Sequence, residues 1–159
     1  MISSKIYNQN SQLVYNLFKS GRNDINIIAL ILCESYFRKS LDRLIEYIAM
    51  PILFVFRKKR FSKLSIGIGQ IQLKHWENIQ EKQSPISINS FQKYLSTFEN
   101  YDLLKMRVEE NLGNDFSDSK LIAFHTGETR SFHYKLFQEL KSRIKLHLTM
   151  YIKNSASHC

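Results

Sequence analysis

Apolar residues recur every three to four positions through most of this 159-residue chain, a spacing that indicates helices. Asn23 and Asp24 offer a helix N-cap, and neither Gly nor Pro follows them until Pro51. Proline lacks the amide hydrogen that continues a helix, so it ends or kinks the helix there. The pattern therefore predicts one long central helix that runs to Met50.

Four further helices are predicted after the loop sequence QEKQSPIS. The first and the last of them carry apolar residues at the spacing of one helix face, and Ser or Gly marks a boundary of the first three. They are a helix with Phe91, Tyr94, Leu95 and Phe98 behind Ser87 or Ser90, a helix from Tyr101 to Leu112 stopped by Gly113, a short helix between Ser117 and Gly127, and a last helix from about Arg130 to Ile152 with Phe132, Leu136, Leu140, Ile144 and Leu148 every four residues.

The segment SKLSIGIGQIQLKHW, at positions 62–76, has a different pattern. Ile66 and Ile68 alternate with glycine and polar residues, which favours a short β-hairpin or extended element lining a groove. No internal repeat is present. The sequence thus predicts a mostly α protein that forms one domain over residues 1–159, with a long central helix and this short element beside a cleft.

Glu34 interrupts the apolar run of the central helix. Burying an ionised carboxylate is costly, so a protein either lets the group keep its proton or pairs it with a cation. A glutamate that keeps its proton near neutral pH suits general acid catalysis, whereas pairing with Arg38 would make it a buried salt bridge. The six positions three, four or seven residues from Glu34 are all apolar except Arg38. The apolar ones are Ile27, Leu30, Ile31, Phe37 and Leu41.

The net charge of +9 and the pI near 9.6 predict an anionic partner, which charge alone leaves open between nucleic acid, a membrane surface and an acidic cell-wall polymer. The densest basic run, Arg57 to Arg60, is more typical of a solvated loop than of a specific site. Hydrophobic residues make up 43% of the chain, which indicates a folded globular protein and not a disordered one.

Cysteine and histidine spacings suggest no metal site, and no cofactor is expected. Cys33 lies within the apolar helix pattern, which favours a buried, unreactive thiol, and a structural disulfide to Cys159 at the frayed C-terminus is not expected. The polar N-terminal segment lacks the features of a signal peptide. The apolar runs INIIALILC and IAMPILFVF are each about half of the ~20 residues that a transmembrane helix needs.

Two motifs in order resemble a known family. Glu34-Ser35 on the long helix is followed by Ser65, Gly67, Gln70 and Ile71 in SIGIGQI. This combination resembles the lysozyme-like superfamily, in particular the lytic transglycosylases of the soluble-lytic-transglycosylase type, in which a catalytic Glu-Ser precedes a Ser-x-Gly-Leu-Met-Gln-Ile stretch. The resemblance implies an α+β lysozyme-like fold and covers residues 24–130.

Two later motifs continue the resemblance with substitutions. Ser87-Ile88, Phe91 and Tyr94-Leu95 keep the spacing of the family's Asn-Ile-x-x-Gly-x-x-Tyr-Leu, and Phe124-His-Thr-Gly127 stands in place of its Tyr-Asn-x-Gly. Phe124 lacks the hydroxyl that approaches the acid in the family, and His125 replaces the Asn. Residues 39–62 form an unusual insert, which we interpret as a lid or a membrane-facing edge.

The resemblance implies cleavage of the bond between N-acetylmuramic acid and N-acetylglucosamine in peptidoglycan. Glu34 would be the single catalytic acid and base, and the 6-hydroxyl of the muramic acid would attack to give a 1,6-anhydro product. A hydrolytic muramidase usually needs a second carboxylate about 5 to 9.5 Å away. Asp42 and Glu46 on the same helix would lie ~12 and ~18 Å along its axis, too far for that role.

The other candidate site residues are assigned to substrate binding. Ser65 and Gln70 would orient sugar amides or the carboxylate, or else cap the turn, and Gly67 would let the backbone approach the glycan or simply adopt a positive φ. Trp76 offers a stacking face for a sugar ring, although a lone Trp is more often a core residue. Phe124 and His125 would line the cleft.

The expected partners are peptidoglycan glycan strands, with a cognate inhibitor or immunity protein and peripheral membrane contact through residues 52–61 left open, and with no nucleic acid. The protein would act on the cell wall, in the periplasm or outside the cell. Because no signal peptide is visible, it would be cargo of a specialised secretion system, a phage lysin or a domain of a longer chain. Alternatives are a hydrolytic muramidase, an inactive glycan-binding module of the same fold and, more remotely, a basic nucleic-acid-binding helical protein.

Overall fold

The computed structural model of the protein describes residues 2–37, 48, 52, 65–72, 97–113, 116–126 and 131–156. Within these residues the protein is mostly helical, which confirms the predicted helical class. Its elements in chain order are α1 (Ile2–Gln9), α2 (Ser11–Lys19), α3 (Ile25–Phe37), β1 (Ser65–Ile66), β2 (Ile71–Gln72), α4 (Thr97–Leu112), α5 (Asp118–Thr126) and α6 (Ser131–Ala156).

The two strands pair antiparallel, with Ser65 opposite Gln72 and Ile66 opposite Ile71. Each has only two residues, against the five or six of an ordinary strand, so they do not by themselves establish an α+β fold.

The chain divides into two compact units. The first joins residues 1–36 to residues 108–159 and so contains α1, α2, α5, α6 and nearly all of α3. The second comprises residues 37–107, with the strand pair and the first part of α4. The prediction of a single domain stays a prediction.

Helix α3 is the buried centre of the first unit. Asp24 caps it as the sequence predicts, because its Oδ1 accepts hydrogen bonds from the backbone N–H groups of Asn26 (2.9 Å) and Ile27 (3.3 Å). All seven residues from 27 to 33 are buried, so the helix is covered on every side and not along one stripe. The predicted continuation to Met50, and the insert at 39–62 apart from Ile48 and Ile52, lie outside the described residues.

The sequence predicts no helix before Asn23, whereas the structure has α1 and α2 there. Asn10 lies between them, and its side-chain amide donates to Ile6 O (2.8 Å) and to Ser35 Oγ of α3 (3.3 Å). This amide therefore ties the corner between the two helices to the central one. The buried side chains of the pair follow a helical spacing: Ile6, Tyr7, Val14, Leu17 and Phe18.

Helix α6 is the longest described helix and packs against α1 and α5. The rings of Tyr7 and His147 lie 4.5 Å apart, and Arg143 Nε donates to the buried Ser3 Oγ at 3.3 Å. On the predicted stripe of α6, Leu136, Leu140 and Ile144 are buried, whereas Phe132 is exposed and Leu148 is half-buried. The prediction is thus confirmed for the middle of the helix.

None of the helices in the described part of the chain is both long enough and apolar enough to cross a bilayer.

The thiol of Cys33 is buried, as the apolar pattern predicts. Burial and the neighbouring Glu34 carboxylate raise the pKa of Cys33 to about 12. At pH 8 only about one thiol in ten thousand is then a thiolate in the folded protein, against roughly a quarter at an unperturbed pKa of about 8.5.

We therefore expect Cys33 to resist a thiol reagent such as DTNB at pH 8 until the protein unfolds. The measurement uses Cys159→Ser, which removes the other cysteine, and follows the release of thionitrobenzoate with and without urea. Rapid modification of the folded variant would contradict the buried environment of this thiol.

Candidate active site

Helix α5 places the histidine of the candidate site. Ser117 caps its first turn, since its Oγ accepts from Lys120 N–H (3.3 Å) and its backbone oxygen accepts from Leu121 N–H (3.0 Å). Asp118 fixes the helix on α6, where Lys141 Nζ lies 2.7 Å from its Oδ1 and Gln138 donates to its Oδ2. The start near Ser117 confirms the sequence prediction, and Gly127, the predicted stop, lies outside the described residues.

In the last turn of α5, His125 lies against Glu34 of α3. The distance from His125 Nε2 to Glu34 Oε1 is 3.2 Å. The His125 side chain is 3% exposed and the Glu34 side chain 19% exposed. The pair is therefore largely removed from water, and the carboxylate keeps a limited opening to it.

His125 Nε2 and Glu34 Oε1 are close together, but they do not form a well-directed hydrogen bond. At 3.2 Å the carboxylate oxygen lies off the direction of a ring N–H on Nε2, and within the described residues neither ring nitrogen of His125 has a hydrogen-bond partner. A buried polar atom without a partner carries a free-energy cost of about 1–3 kcal/mol. His125 thus has unused hydrogen-bonding capacity next to the Glu34 carboxylate.

A carboxyl group and an imidazole can each act as a proton donor or as a proton acceptor. This arrangement is chemically suited to taking up and returning a proton.

The glycine segment forms a tight turn between β1 and β2. Gln70 N–H donates to Gly67 O at 3.3 Å, and the Gln70 side-chain amide donates to the same oxygen at 2.6 Å. Gln70 itself has a φ of 50°, which a non-glycine residue adopts at a cost of about 1–2 kcal/mol. The Gln70 amide nitrogen is thus used within the turn, which is the turn-capping alternative raised from the sequence.

The proximity of Asn100, on α4, explains why this turn needs glycines. Its side chain is fully buried, and its Oδ1 accepts a 2.6 Å hydrogen bond from Gly69 N–H. A Cβ on Gly67 would overlap Asn100 Nδ2, and a Cβ on Gly69 would lie 2.8 Å from Asn100 Oδ1. The backbone of this turn therefore lies so close to Asn100, in the same unit, that residues larger than glycine do not fit.

Sequence reasoning missed Asn100, although a signal was present. Leu103 and Leu104, three and four residues further on, are both buried. A polar residue at this spacing from apolar neighbours is the same signal that singled out Glu34. The sequence also predicted a separate helix beginning at Tyr101, whereas α4 runs without a break from Thr97 to Leu112.

The predicted site residues fall in two groups within the described residues. Glu34, Phe124 and His125 lie in the first unit, where Phe124 is half-buried next to His125 on α5. Ser65, Gly67 and Gln70 lie in the second unit, in the strand pair and its turn. Trp76, together with the motif positions from Ser87 to Leu95, lies outside the described residues.

A separate groove of about 340 Å³ lies between α1 and α6 in the first unit. Its lining is mainly apolar, and it contains none of the predicted site residues. The lining residues are Ile2, Phe132, Lys135, Leu136 and Glu139.

The comparisons with known proteins give no family. Neither a protein-family model, nor a curated protein, nor a solved structure matches this chain. The likeness to lytic transglycosylases therefore rests on the sequence motifs alone, and a function has to be argued from the residues themselves.

The contact between Gly67 and Asn100 can be isolated with a matched pair of substitutions. Gly67 (φ 75°) and Gly113 (φ 72°) have nearly the same backbone conformation, but a Cβ on Gly113 would have no neighbour within 4 Å. Gly113→Ala should cost only the backbone strain of about 1–2 kcal/mol. Gly67→Ala should cost about 1–3 kcal/mol more, because it also displaces the Asn100 side chain.

Urea unfolding of both variants measures these costs. Repeating Gly67→Ala in an Asn100→Ala background should reduce the excess, because the overlapping amide is then absent. Equal costs for the two glycines would show that Asn100 does not restrict the turn.

The contact between Glu34 and His125 predicts energetic coupling. In a double-mutant cycle with Glu34→Gln and His125→Asn, we expect an interaction energy of about 0.5–3 kcal/mol from urea unfolding. Glu110→Gln is the matched control, because this glutamate is exposed on α4 and should combine additively with His125→Asn. Additivity of Glu34→Gln with His125→Asn would mean that the two side chains do not interact in solution.

Proposed function

We propose that this protein cleaves the glycan strand of peptidoglycan as a lytic transglycosylase, with Glu34 as its acid and base. The observation that supports this most directly is the position of Glu34. Its carboxylate follows seven buried residues of α3, keeps limited access to solvent and lies 3.2 Å from a second titratable side chain. An ordinary surface glutamate would have none of these properties.

The proposed reaction needs one carboxylate. Glu34 in its acid form donates a proton to the glycosidic oxygen as the bond from that oxygen to the anomeric carbon of N-acetylmuramic acid breaks. The 6-hydroxyl of the same muramic acid then attacks the anomeric carbon, and the Glu34 carboxylate accepts the hydroxyl proton. The products are a 1,6-anhydromuramic acid end and a free 4-hydroxyl on the N-acetylglucosamine, and Glu34 is again an acid.

His125 would orient the carboxylate through Nε2 during this cycle. It replaces the Asn of the resembled motif, and both its ring nitrogens are buried. A neutral imidazole that donates from Nε2 would hold Oε1 in place and leave the other carboxylate oxygen for the substrate.

We also propose that the whole chain adopts the α+β lysozyme-like fold. Gly67, Gln70, Trp76 and Phe124 would be substrate-binding residues of that fold. The support for this arrangement is the order of the motifs and the tight glycine turn at the expected place in the chain.

An inactive glycan-binding module is the second candidate, and the contact with His125 favours it. His125 stands in place of the Asn of the resembled motif and lies 3.2 Å from the carboxylate, so this substitution would remove turnover. In that case the same residues would bind the glycan without cleaving it. A hydrolytic muramidase is a third outcome, which the reducing end of the product identifies.

The proposed place of action is the cell wall, in the periplasm or outside the cell. Net charge +9 supports attraction to the anionic wall. Delivery by a specialised secretion system or by phage lysis is part of this proposal, and an inhibitor or immunity protein would then be a partner.

The test is digestion of purified peptidoglycan with the wild-type protein, Glu34→Gln and Glu110→Gln, followed by mass spectrometry of the released fragments. We expect anhydromuramic products from the wild type and from the exposed-site control, and a loss of at least about a hundredfold in Glu34→Gln. Circular dichroism verifies that each variant is folded.

Reducing-end products that also depend on Glu34 would identify a hydrolase instead. Retention of labelled peptidoglycan fragments without any cleavage would identify the binding module. Equal activity of Glu34→Gln and wild type would exclude Glu34 as the acid.

A further inference from the structure

The two ends of the sequence lack acidic residues altogether. Residues 1–23 and 140–159 together contain seven of the 23 Lys and Arg residues of the chain and none of its 14 Asp and Glu residues. A bias of this kind in two separate segments matters only if they come together in the fold. The seven cations are Lys5, Lys19, Arg22, Lys141, Arg143, Lys145 and Lys153.

The fold does bring these segments together. Helix α1 packs along α6, and the Tyr151 ring of α6 lies 5.8 Å from Tyr15 and 5.9 Å from Phe18 of α2. Lys141 is paired with Asp118 of α5, and Lys145 and Lys153 are exposed further along α6. One region of the first unit is therefore strongly basic.

The C-terminal part of α6 also exposes apolar side chains. The buried residues of this helix end at Ile144. Beyond it, Leu146 is 60% exposed and Met150 is 53% exposed, and their spacing of four residues places them on one face. Lys153 lies on that face two turns after Leu146. Lys145 directly precedes Leu146 and lies next to the face. Exposed Leu and Met between lysines form an amphipathic surface.

We propose that the C-terminal part of α6, residues 145–156, binds the surface of an anionic lipid bilayer. Leu146 and Met150 would enter the boundary between headgroups and acyl chains, while Lys145 and Lys153 contact the lipid phosphates. The charge of this region is complementary to such a surface. A nucleic acid or an acidic polymer would contact the lysines but leave both apolar side chains in water, so the lipid surface accounts for more of the observations.

This interaction is separate from the proposed cleavage chemistry. It uses neither Glu34 nor His125, and its residues are not those of the membrane contact expected through residues 52–61. Binding to lipid can therefore be tested independently of enzymatic activity.

Co-sedimentation with vesicles tests the proposal. The full chain should bind vesicles of phosphatidylglycerol and phosphatidylcholine in equal parts and bind pure phosphatidylcholine weakly. Leu146→Gln with Met150→Gln keeps good helix formers and should weaken binding by about tenfold or more, since two apolar side chains no longer leave water. Lys145→Gln should weaken it about fivefold, which corresponds to about 1 kcal/mol per lysine.

Two controls match these variants. Leu146→Met with Met150→Leu keeps the apolar surface and should bind like the wild type. Lys120→Gln removes one exposed cation from α5 and should have little effect. Circular dichroism of every variant shows whether α6 is intact.

Three results would overturn the proposal: equal binding to neutral and anionic vesicles, full binding by the Leu146 and Met150 double variant, or no binding to either vesicle. A DNA duplex is measured in parallel. If DNA binds more tightly than the anionic vesicles, and the Leu146 and Met150 variant binds it unchanged, the surface serves nucleic acid and not lipid.

Discussion

The complete burial of α3 is the constraint on which the first unit depends. A helix whose residues from 27 to 33 are all shielded from water needs neighbours on every side, and α1, α2, α5 and α6 belong to the same unit. The hydrophobic free energy of such a segment is large, because each fully buried Ile or Leu contributes about 1.5–3 kcal/mol. The packing of the neighbouring helices around this segment therefore determines the surroundings of any polar group next to it.

Glu34 is that polar group, and its surroundings follow from the constraint. It directly follows the fully buried segment. Its side chain is mostly removed from water but keeps limited access to solvent. Burial, together with the charge of the Glu34 carboxylate, raises the pKa of the adjacent Cys33 thiol.

Local patterns in the sequence predicted well those features that depend on neighbours in the same helix. The Asp24 cap, the Ser117 cap, the buried middle of α6 and the unusual position of Glu34 all follow from spacings of two to four residues. The partners across the fold could not be predicted in this way. His125 as the neighbour of Glu34, and Asn100 as the neighbour of the glycine turn, depend on contacts between residues 91 and 31 positions apart, which periodicity does not encode. The N-terminal helices were not predicted because Ser, Asn and Gln residues separate their apolar positions, and the local pattern does not reveal the packing of α1 against α6.

The discontinuity of the first unit affects the order in which it can fold. Its parts, residues 1–36 and 108–159, are separated by the whole second unit, and the contact between Ser3 and Arg143 closes a loop of 140 residues. During synthesis α1 and the apolar α3 leave the ribosome well before α6 exists to cover them. Contacts of such long range slow folding, because the entropy of closing the loop is lost before the contacts stabilise the chain. The nascent protein therefore exposes α3, the most hydrophobic of the described helices, until α6 has been made, and exposed apolar surface of this kind favours aggregation.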